Sequence, residues 1–140
     1  MARDVLIVDD SATMRLMIRR ALLMTDLDIG EMFEAANGIE ALAKLAEHNV
    51  SLILLDINMP TMTGLQLLAR MKRNQRLKDI PIVIASTEGS DERAEQIAEY
   101  GAAGYLRKPF VPEKLRDVLS PLLGVKENDR VRMPAGNDSF

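Results

Sequence analysis

The sequence is poor in the residues that build several common kinds of functional site. It contains no cysteine and no tryptophan, one histidine, two tyrosines and three phenylalanines. Without cysteine, a disulfide scaffold, a cysteine nucleophile and a thiolate metal site are excluded. A single histidine, His48, cannot form the histidine cluster of a transition-metal centre. The few aromatic rings and a formal net charge of −3 argue against a basic, base-stacking surface for nucleic acid.

Long apolar segments are also missing. The apolar runs Val5–Val8, Leu52–Leu55 and Ile82–Ala85 are far shorter than the roughly 20 residues of a transmembrane helix. Near the start of the chain, Arg3 precedes only four apolar residues before an acidic pair, so no signal-peptide core fits there. We therefore expect a cytoplasmic protein that does not insert into membranes.

Short apolar runs alternate with helical patterns along most of the 140 residues, a length typical of one domain. The strongest runs are continuously apolar, which is typical of strands buried on both faces, whereas Glu31–Ala35 is a weaker, edge-like strand. We predict five strands: Asp4–Val8, Glu31–Ala35, Ser51–Leu55, Ile82–Ala85 and Ala103–Leu106. Five strand-then-helix units of this kind indicate an α/β fold, a doubly wound parallel sheet with five helices on its two faces. We predict one domain over residues 1–123 and a flexible tail over 124–140, where periodicity is lost.

The spacing of apolar residues also predicts which side of each helix is buried. In the first helix, the pattern selects Met14, Met17, Ile18, Ala21 and Leu22. In the second helix, it selects Ile39, Leu42, Ala43 and Ala46. These residues recur three and four positions apart, which places each set on one helical face.

Chemically useful side chains follow four of the predicted strands. They are Asp9 and Asp10 after the first, Asp56 after the third, Ser86 and Thr87 after the fourth, and Arg107 and Lys108 after the fifth. In an open doubly wound sheet, ligands bind beyond the carboxyl ends of the strands. We therefore expect three carboxylates, a hydroxyl and an ammonium at one edge of the sheet.

Three carboxylates in one pocket repel each other by a few kcal/mol per pair at an effective dielectric of about 20. A hard divalent cation relieves that repulsion, and an all-oxygen set of ligands suits Mg²⁺ better than Zn²⁺. Such a cation keeps positions free for phosphate oxygens, while Lys108 and Ser86 supply a positive charge and a hydroxyl donor. These are the components of phosphoryl transfer, in which one carboxylate can serve as the nucleophile.

Each of these residues has a purely structural alternative when taken alone. Asp9 and Asp10 could cap the helix that follows them, and Asp56 could simply begin a turn. Ser86 could be a turn residue, and Lys108 could lie on the surface. A functional site is favoured because carboxylates, a hydroxyl and an ammonium follow four different strands of the same predicted sheet.

The chain resembles the receiver domains of two-component response regulators, and among them the stand-alone chemotaxis (CheY) type. The resemblance covers residues 3–123 and rests on four segments that occur in this order: VDDSATMR at Val8–Arg15, LLDINMPTMTG at Leu54–Gly64, PIVIAST at Pro81–Thr87 and GAAGYLRKPF at Gly101–Phe110. It implies a flavodoxin-like sheet with strand order 2-1-3-4-5, a fold for which this family is a standard example.

The resemblance also implies a role for each acidic residue. Asp56 would accept a phosphoryl group from a phosphohistidine. Asp10, Asp56 and the backbone carbonyl of Asn58 would bind Mg²⁺ directly, and Asp9 would reach the ion through water.

Further roles are implied for the last two strands. Lys108 would contact the phosphoryl group, and its peptide bond to Pro109 would be cis. Ser86 and Tyr105 would form the switch pair, in which the hydroxyl moves toward the phosphoryl group and the aromatic ring turns inward behind it.

The function implied is a single-domain signalling switch and not a metabolic enzyme. Its partners would be a sensor histidine kinase or histidine phosphotransfer protein, and a downstream target on the face formed by helix 4, strand 5 and helix 5. The fourth helix is acidic, with Asp91, Glu92, Glu95 and Glu99, which predicts a target bearing basic residues.

Other functions remain open at this stage. A receiver outside chemotaxis, or a phosphorelay adaptor, would carry the same residues. A small phosphatase of the haloacid-dehalogenase type also uses a strand-end aspartate with Mg²⁺, but in an Asp-x-Asp pattern where this chain has the adjacent pair Asp9-Asp10. A flavin carrier shares the topology, although negative charge at the phosphate site disfavours it.

Overall fold

A computed structural model describes residues 2–57, 59, 62–87 and 91–125, with the side chains of residues 91–93 excepted. Strands and helices alternate throughout: β1 (Arg3–Val8), α1 (Ala12–Leu23), β2 (Ile29–Ala35), α2 (Gly38–Glu47), β3 (Leu52–Asp56), α3 (Gly64–Lys72), β4 (Ile82–Ser86), α4 (Asp91–Glu99), β5 (Gly104–Arg107) and α5 (Pro112–Leu123). Within the described ranges, no helix is long and apolar enough to cross a bilayer.

The five strands form one sheet in the order β2-β1-β3-β4-β5, and every neighbouring pair is parallel. The predicted fold class and strand order are therefore confirmed. Strands β3 and β4 are buried along their whole length, because helices cover both faces of the sheet. This double cover explains why these strands are continuously apolar in sequence.

Two apolar cores lie on opposite faces of the sheet. One is formed with α2, α3 and α4 and includes Leu45, Leu68 and Ile97. The other is formed with α1 and α5 and includes Leu22 and Leu119. With both faces filled, the sheet presents polar groups mainly at its strand ends.

Side chains that begin the helices fix where the loops above the sheet turn. Ser11 accepts a hydrogen bond from the Met14 amide at 3.1 Å and so caps α1. Asn37 caps α2 in the same way through the Glu40 amide at 2.8 Å. Each cap satisfies an amide that the first turn of a helix leaves unpaired.

The structure corrects the predicted buried faces of two helices. In α2, the buried residues are Gly38, Ala41 and Leu45, and Ile39 is 57% exposed. In α1, Met17 is 53% exposed. Small and apolar residues occur on both sides of α2, so periodicity alone could not choose the side that packs on the sheet.

Strand ends also extend further than predicted. Asp56 is paired in the sheet with Ala85, and Ser86 is paired with Arg107. In β3, β4 and β5 the ladder of hydrogen bonds continues one residue beyond the predicted strand, since the backbone of a polar residue can take part in a ladder as well as that of an apolar one.

The predicted tail falls mostly outside the described residues, which end at Val125. Its first two residues contact the domain. The Gly124 carbonyl accepts a hydrogen bond from the Asp28 amide at 3.0 Å, and Val125 forms an antiparallel bridge with Leu27. Gly124 and Val125 are thus held beside the loop that follows α1.

Candidate functional site

The predicted site residues meet at the carboxyl edge of the sheet. Asp9 follows β1, Asp56 ends β3, Ser86 ends β4 and Lys108 follows β5. All four are buried, with residue exposures of 2%, 8%, 0% and 9% in that order. These buried polar and charged side chains lie together at neighbouring strand ends, above the apolar core.

Lys108 joins two of the acids. Its Nζ lies 2.6 Å from Oδ2 of Asp9 and 3.6 Å from Oδ1 of Asp56, and the three side chains are 7%, 3% and 10% exposed. The other carboxylate oxygen of Asp9 accepts a hydrogen bond from the Ser11 amide at 2.9 Å. Both oxygens of Asp9 are therefore occupied, and burial makes each of these interactions stronger than it would be in water.

A third acid completes a cluster that could hold a cation. Oxygen atoms of Asp9, Asp10 and Asp56 all lie within 4.8 Å of one another, and Asp10 is exposed whereas the other two are buried. Among the described residues, the Lys108 ammonium lies against Asp9 and Asp56, and three carboxylates beside it leave the cluster with an excess of negative charge. Oxygen ligands carrying this charge fit a hard divalent cation such as Mg²⁺. Asn58, the fourth predicted ligand, lies outside the described residues.

A glycine controls the backbone beneath Asp56. The Gly64 amide donates to the Ile57 carbonyl at 2.8 Å. A Cβ atom at position 64 would overlap the Asp56 carbonyl oxygen and lie 2.8 Å from the Ile57 Cα. Only glycine allows this close approach of two backbones. Sequence reasoning recorded Gly64 as part of a motif but did not find this reason for it.

Ser86 and Tyr105 lie on adjacent strands, β4 and β5. The Ser86 side chain is fully buried. The Tyr105 hydroxyl is buried as well, and it has no hydrogen-bond partner within the described part of the chain. Beside Tyr105 is a hollow of about 210 Å³ between α4 and β5, lined mostly by alanine and glycine. The hollow provides space beside the Tyr105 ring, and no hydrogen bond within the described residues holds its hydroxyl in place.

Two further features concern the backbone around the site. The Lys108–Pro109 peptide bond is cis, as the resemblance implied. The Lys108 amide donates to the Ser86 carbonyl at 2.7 Å, so the residue that carries the ammonium is also tied to the end of β4.

A charged group that sequence reasoning missed lies next to the acidic cluster. Glu34 on β2 accepts hydrogen bonds from Arg15 at 2.9 Å and from Arg19 at 2.8 Å. Burial raises the pKa of Glu34, but the bonds and positive charges of the two arginines outweigh this effect, and the pKa lies below its ordinary value of 4.5. The signal available in sequence was weak, because charged residues in an amphipathic helix usually face solvent.

Comparison with known proteins identifies the family. The model of the response regulator receiver domain matches residues 5–120, which is most of the chain. The chain belongs to the family of response regulator receiver domains.

Individual relatives agree with this assignment. The chain is 37% identical over 123 residues to the chemotaxis protein CheY1 of Helicobacter pylori, an alignment that covers 87% of this chain and 98% of the relative. It is 35% identical over 118 residues to the chemotaxis protein CheY of Pseudomonas aeruginosa, covering 84% and 94%. The solved structure of Vibrio cholerae CheY4 has 38% identity and a TM-score of 0.76, covering 88% and 100%.

A more distant solved structure is the Mn²⁺-bound form of the response regulator Rcp1. It shares 26% identity with this chain and has a TM-score of 0.72, covering 95% of this chain and 99% of Rcp1. The fold is therefore shared along nearly the whole of both proteins.

Proposed function

We propose that this protein is a single-domain response regulator. Its Asp56 carboxylate accepts a phosphoryl group from the phosphohistidine of a sensor kinase or of a histidine phosphotransfer protein. The observation that carries the proposal is the position of the Asp56 carboxylate, buried at a strand end with the Lys108 ammonium 3.6 Å away. Residues 1–123 would form the receiver domain. Chemotaxis proteins among the relatives favour a role in chemotaxis-type signalling in the cytoplasm.

Mg²⁺ is the cofactor that the acidic cluster suits. Asp10 and Asp56 would hold it directly, with the Asn58 carbonyl as a further ligand. Asp9 would act through water, because its two oxygens are already bound to Ser11 and Lys108. When bound, the ion would neutralise charge on the phosphoryl oxygens. A divalent ion in the related Rcp1 supports this choice.

The transfer step follows from the positions of the side chains. A carboxylate oxygen of Asp56 would attack phosphorus, the bond from phosphorus to the histidine nitrogen would break, and the nitrogen would keep the bonding electrons. Lys108 would turn from Asp56 toward a phosphoryl oxygen, and the Ser86 hydroxyl would donate to another. Hydrolysis of the acyl phosphate, with attack of water on phosphorus and release of inorganic phosphate, would return Asp56 to its carboxylate form, so that the protein acts as a reversible switch.

The output surface would be the face formed by α4, β5 and α5. Movement of Ser86 toward the phosphoryl group would draw Tyr105 inward and reshape the hollow between α4 and β5. Glu95 and Glu99 of α4 are exposed, so a downstream target with basic residues fits this face.

The assignment of Asp56 is tested with the variant Asp56→Asn. Wild-type protein treated with Mg²⁺ and acetyl phosphate should gain the mass of one phosphoryl group, in a form that base removes, whereas Asp56→Asn should gain none. Asp79→Asn, which changes an exposed aspartate on the loop after α3, is the matched control and should be labelled like wild type. Full labelling of Asp56→Asn would show that another residue is the acceptor.

A further inference from the structure

The arginine in the first turns of α1 contacts the acidic cluster through the backbone. Nη1 of Arg15 donates to the carbonyl oxygen of Asp9 at 2.6 Å, while Nε of the same side chain donates to Oε1 of Glu34 at 2.9 Å. The Arg15 side chain is only 16% exposed. One planar guanidinium thus connects the end of β1 with β2.

The carbonyl that Arg15 contacts belongs to the peptide unit joining Asp9 to Asp10. A peptide unit is planar, so holding its oxygen fixes the direction in which the Asp10 backbone begins. The Asp9 residue is anchored on other sides as well, by its amide to the Ala35 carbonyl at 3.1 Å and by its carboxylate to Ser11 and Lys108. Asp10, by contrast, is exposed, and its side chain makes no hydrogen bond or ion pair among the described residues. Its position therefore depends on the peptide before it.

Glu34 fixes the orientation of Arg15. Its second carboxylate oxygen accepts bonds from Nε and Nη2 of Arg19, at 3.0 and 2.8 Å. Arg19 also donates to the Met32 carbonyl at 2.9 Å, which ties the group to β2. The two arginines share one carboxylate, but only Arg15 reaches the peptide of the acidic pair.

We propose that Arg15 is a positioning residue for the cation site: with Glu34 as its anchor, it holds the Asp9–Asp10 peptide so that the Asp10 carboxylate points into the cluster. The part of this proposal that concerns Mg²⁺ rests on the proposed function. The part that concerns the peptide does not.

The test compares Arg15→Gln with Arg19→Gln, because both remove one arginine from Glu34 and only the first removes the bond to Asp9. Mg²⁺ affinity is measured by titration, followed through the backbone amide signals of Asp10 and Ser11 in NMR spectra. Loss of groups that orient metal ligands typically weakens binding by about 10- to 100-fold, and we expect about tenfold for Arg15→Gln. Arg19→Gln should stay close to wild type. Equal weakening in both variants would overturn the proposal.

A second measurement is made without metal. In Arg15→Gln, the amide signals of Asp10 and Ser11 should shift and their hydrogens should exchange faster, whereas Arg19→Gln should change mainly the signals of β2. Unchanged Asp10 and Ser11 signals in Arg15→Gln would overturn the proposal. If wild-type protein bound no Mg²⁺, the proposed function would fail, and these metal-free spectra would still decide whether Arg15 positions the peptide.

Discussion

Replacing Asp10 by asparagine should make the metal-free protein more stable. The Asp10 carboxylate faces those of Asp9 and Asp56, with oxygen atoms within 4.8 Å of one another. The Lys108 ammonium offsets one of these two charges. The repulsion that Asp10 meets is therefore close to that of one like-charge pair at 4.8 Å.

Coulomb's law sets the size of the effect. Such a pair repels by about 3.5 kcal/mol at an effective dielectric of about 20, and by about 0.9 kcal/mol in bulk water. Because Asp10 is exposed whereas its two neighbours are buried, its environment lies between these limits and nearer to water. We expect Asp10→Asn to raise the free energy of unfolding by about 1–2 kcal/mol in the absence of divalent ions.

Urea unfolding with and without Mg²⁺ measures this effect. Mg²⁺ at about 100 times its dissociation constant should stabilise wild-type protein by about 2.7 kcal/mol, and Asp10→Asn should lose most of that gain. Asp79→Asn, with its exposed acid outside the cluster, should behave as wild type in both conditions. A less stable metal-free Asp10→Asn, or equal stabilisation of both proteins by Mg²⁺, would refute the electrostatic argument.

Three further changes test other parts of the structure. Gly64→Ala should lower the free energy of unfolding by about 1–3 kcal/mol in urea and slow phosphorylation from acetyl phosphate, because the new Cβ overlaps the Asp56 carbonyl. In the control Gly30→Ala, the Cβ meets mainly a movable side chain. An equal loss of stability in the control would contradict this reason. Tyr105→Phe should raise the free energy of unfolding by about 1 kcal/mol, since the buried hydroxyl has no partner in the described residues; a loss of stability would disprove it. Glu34 has a lowered pKa, below 4.5, so its ionised form contributes stability above the unfolded-state pKa and loses it as pH falls through the folded-state pKa. Glu34→Gln should therefore reduce stability at neutral pH and progressively less as the pH is lowered through the folded-state pKa of Glu34, and a reduction that does not change with pH would argue against the ion pairs.

Much of the fold follows from local patterns in the sequence. The five strands were predicted within one or two residues of their ends, and the central strands β3 and β4 were the clearest, because strands buried on both faces leave few polar positions. The edge strand β2 is partly exposed and gave a weaker pattern. The buried side of α2 was predicted wrongly, since Ile39 and Leu45 lie on different sides of a broad apolar surface opposite Glu40, Lys44 and Glu47. Which side of α2 is buried depends on how the whole helix packs against the sheet.

The site could be assembled from the sequence because parallel strands end at the same edge. That rule placed Asp9, Asp56 and Lys108 together without any knowledge of distances. It could not distinguish the buried Asp9, bound to Lys108, from the exposed Asp10. Nor could it find the contact between Arg15 and Glu34, because two charged residues 19 positions apart show no pattern that links them.

The ion pair between Lys108 and Asp9 joins residues separated by 99 positions in the chain. During synthesis, all three acids of the cluster leave the ribosome long before the lysine does, and the ammonium arrives only when β5 has joined the far side of β4. Closing a contact between such distant residues costs more chain entropy than closing a local one. The acidic cluster receives its counter-charge only from the end of the domain. A partly folded or partly degraded chain that lacked β5 would hold the acids without their counter-charge, so a complete cluster indicates that the whole sheet is intact.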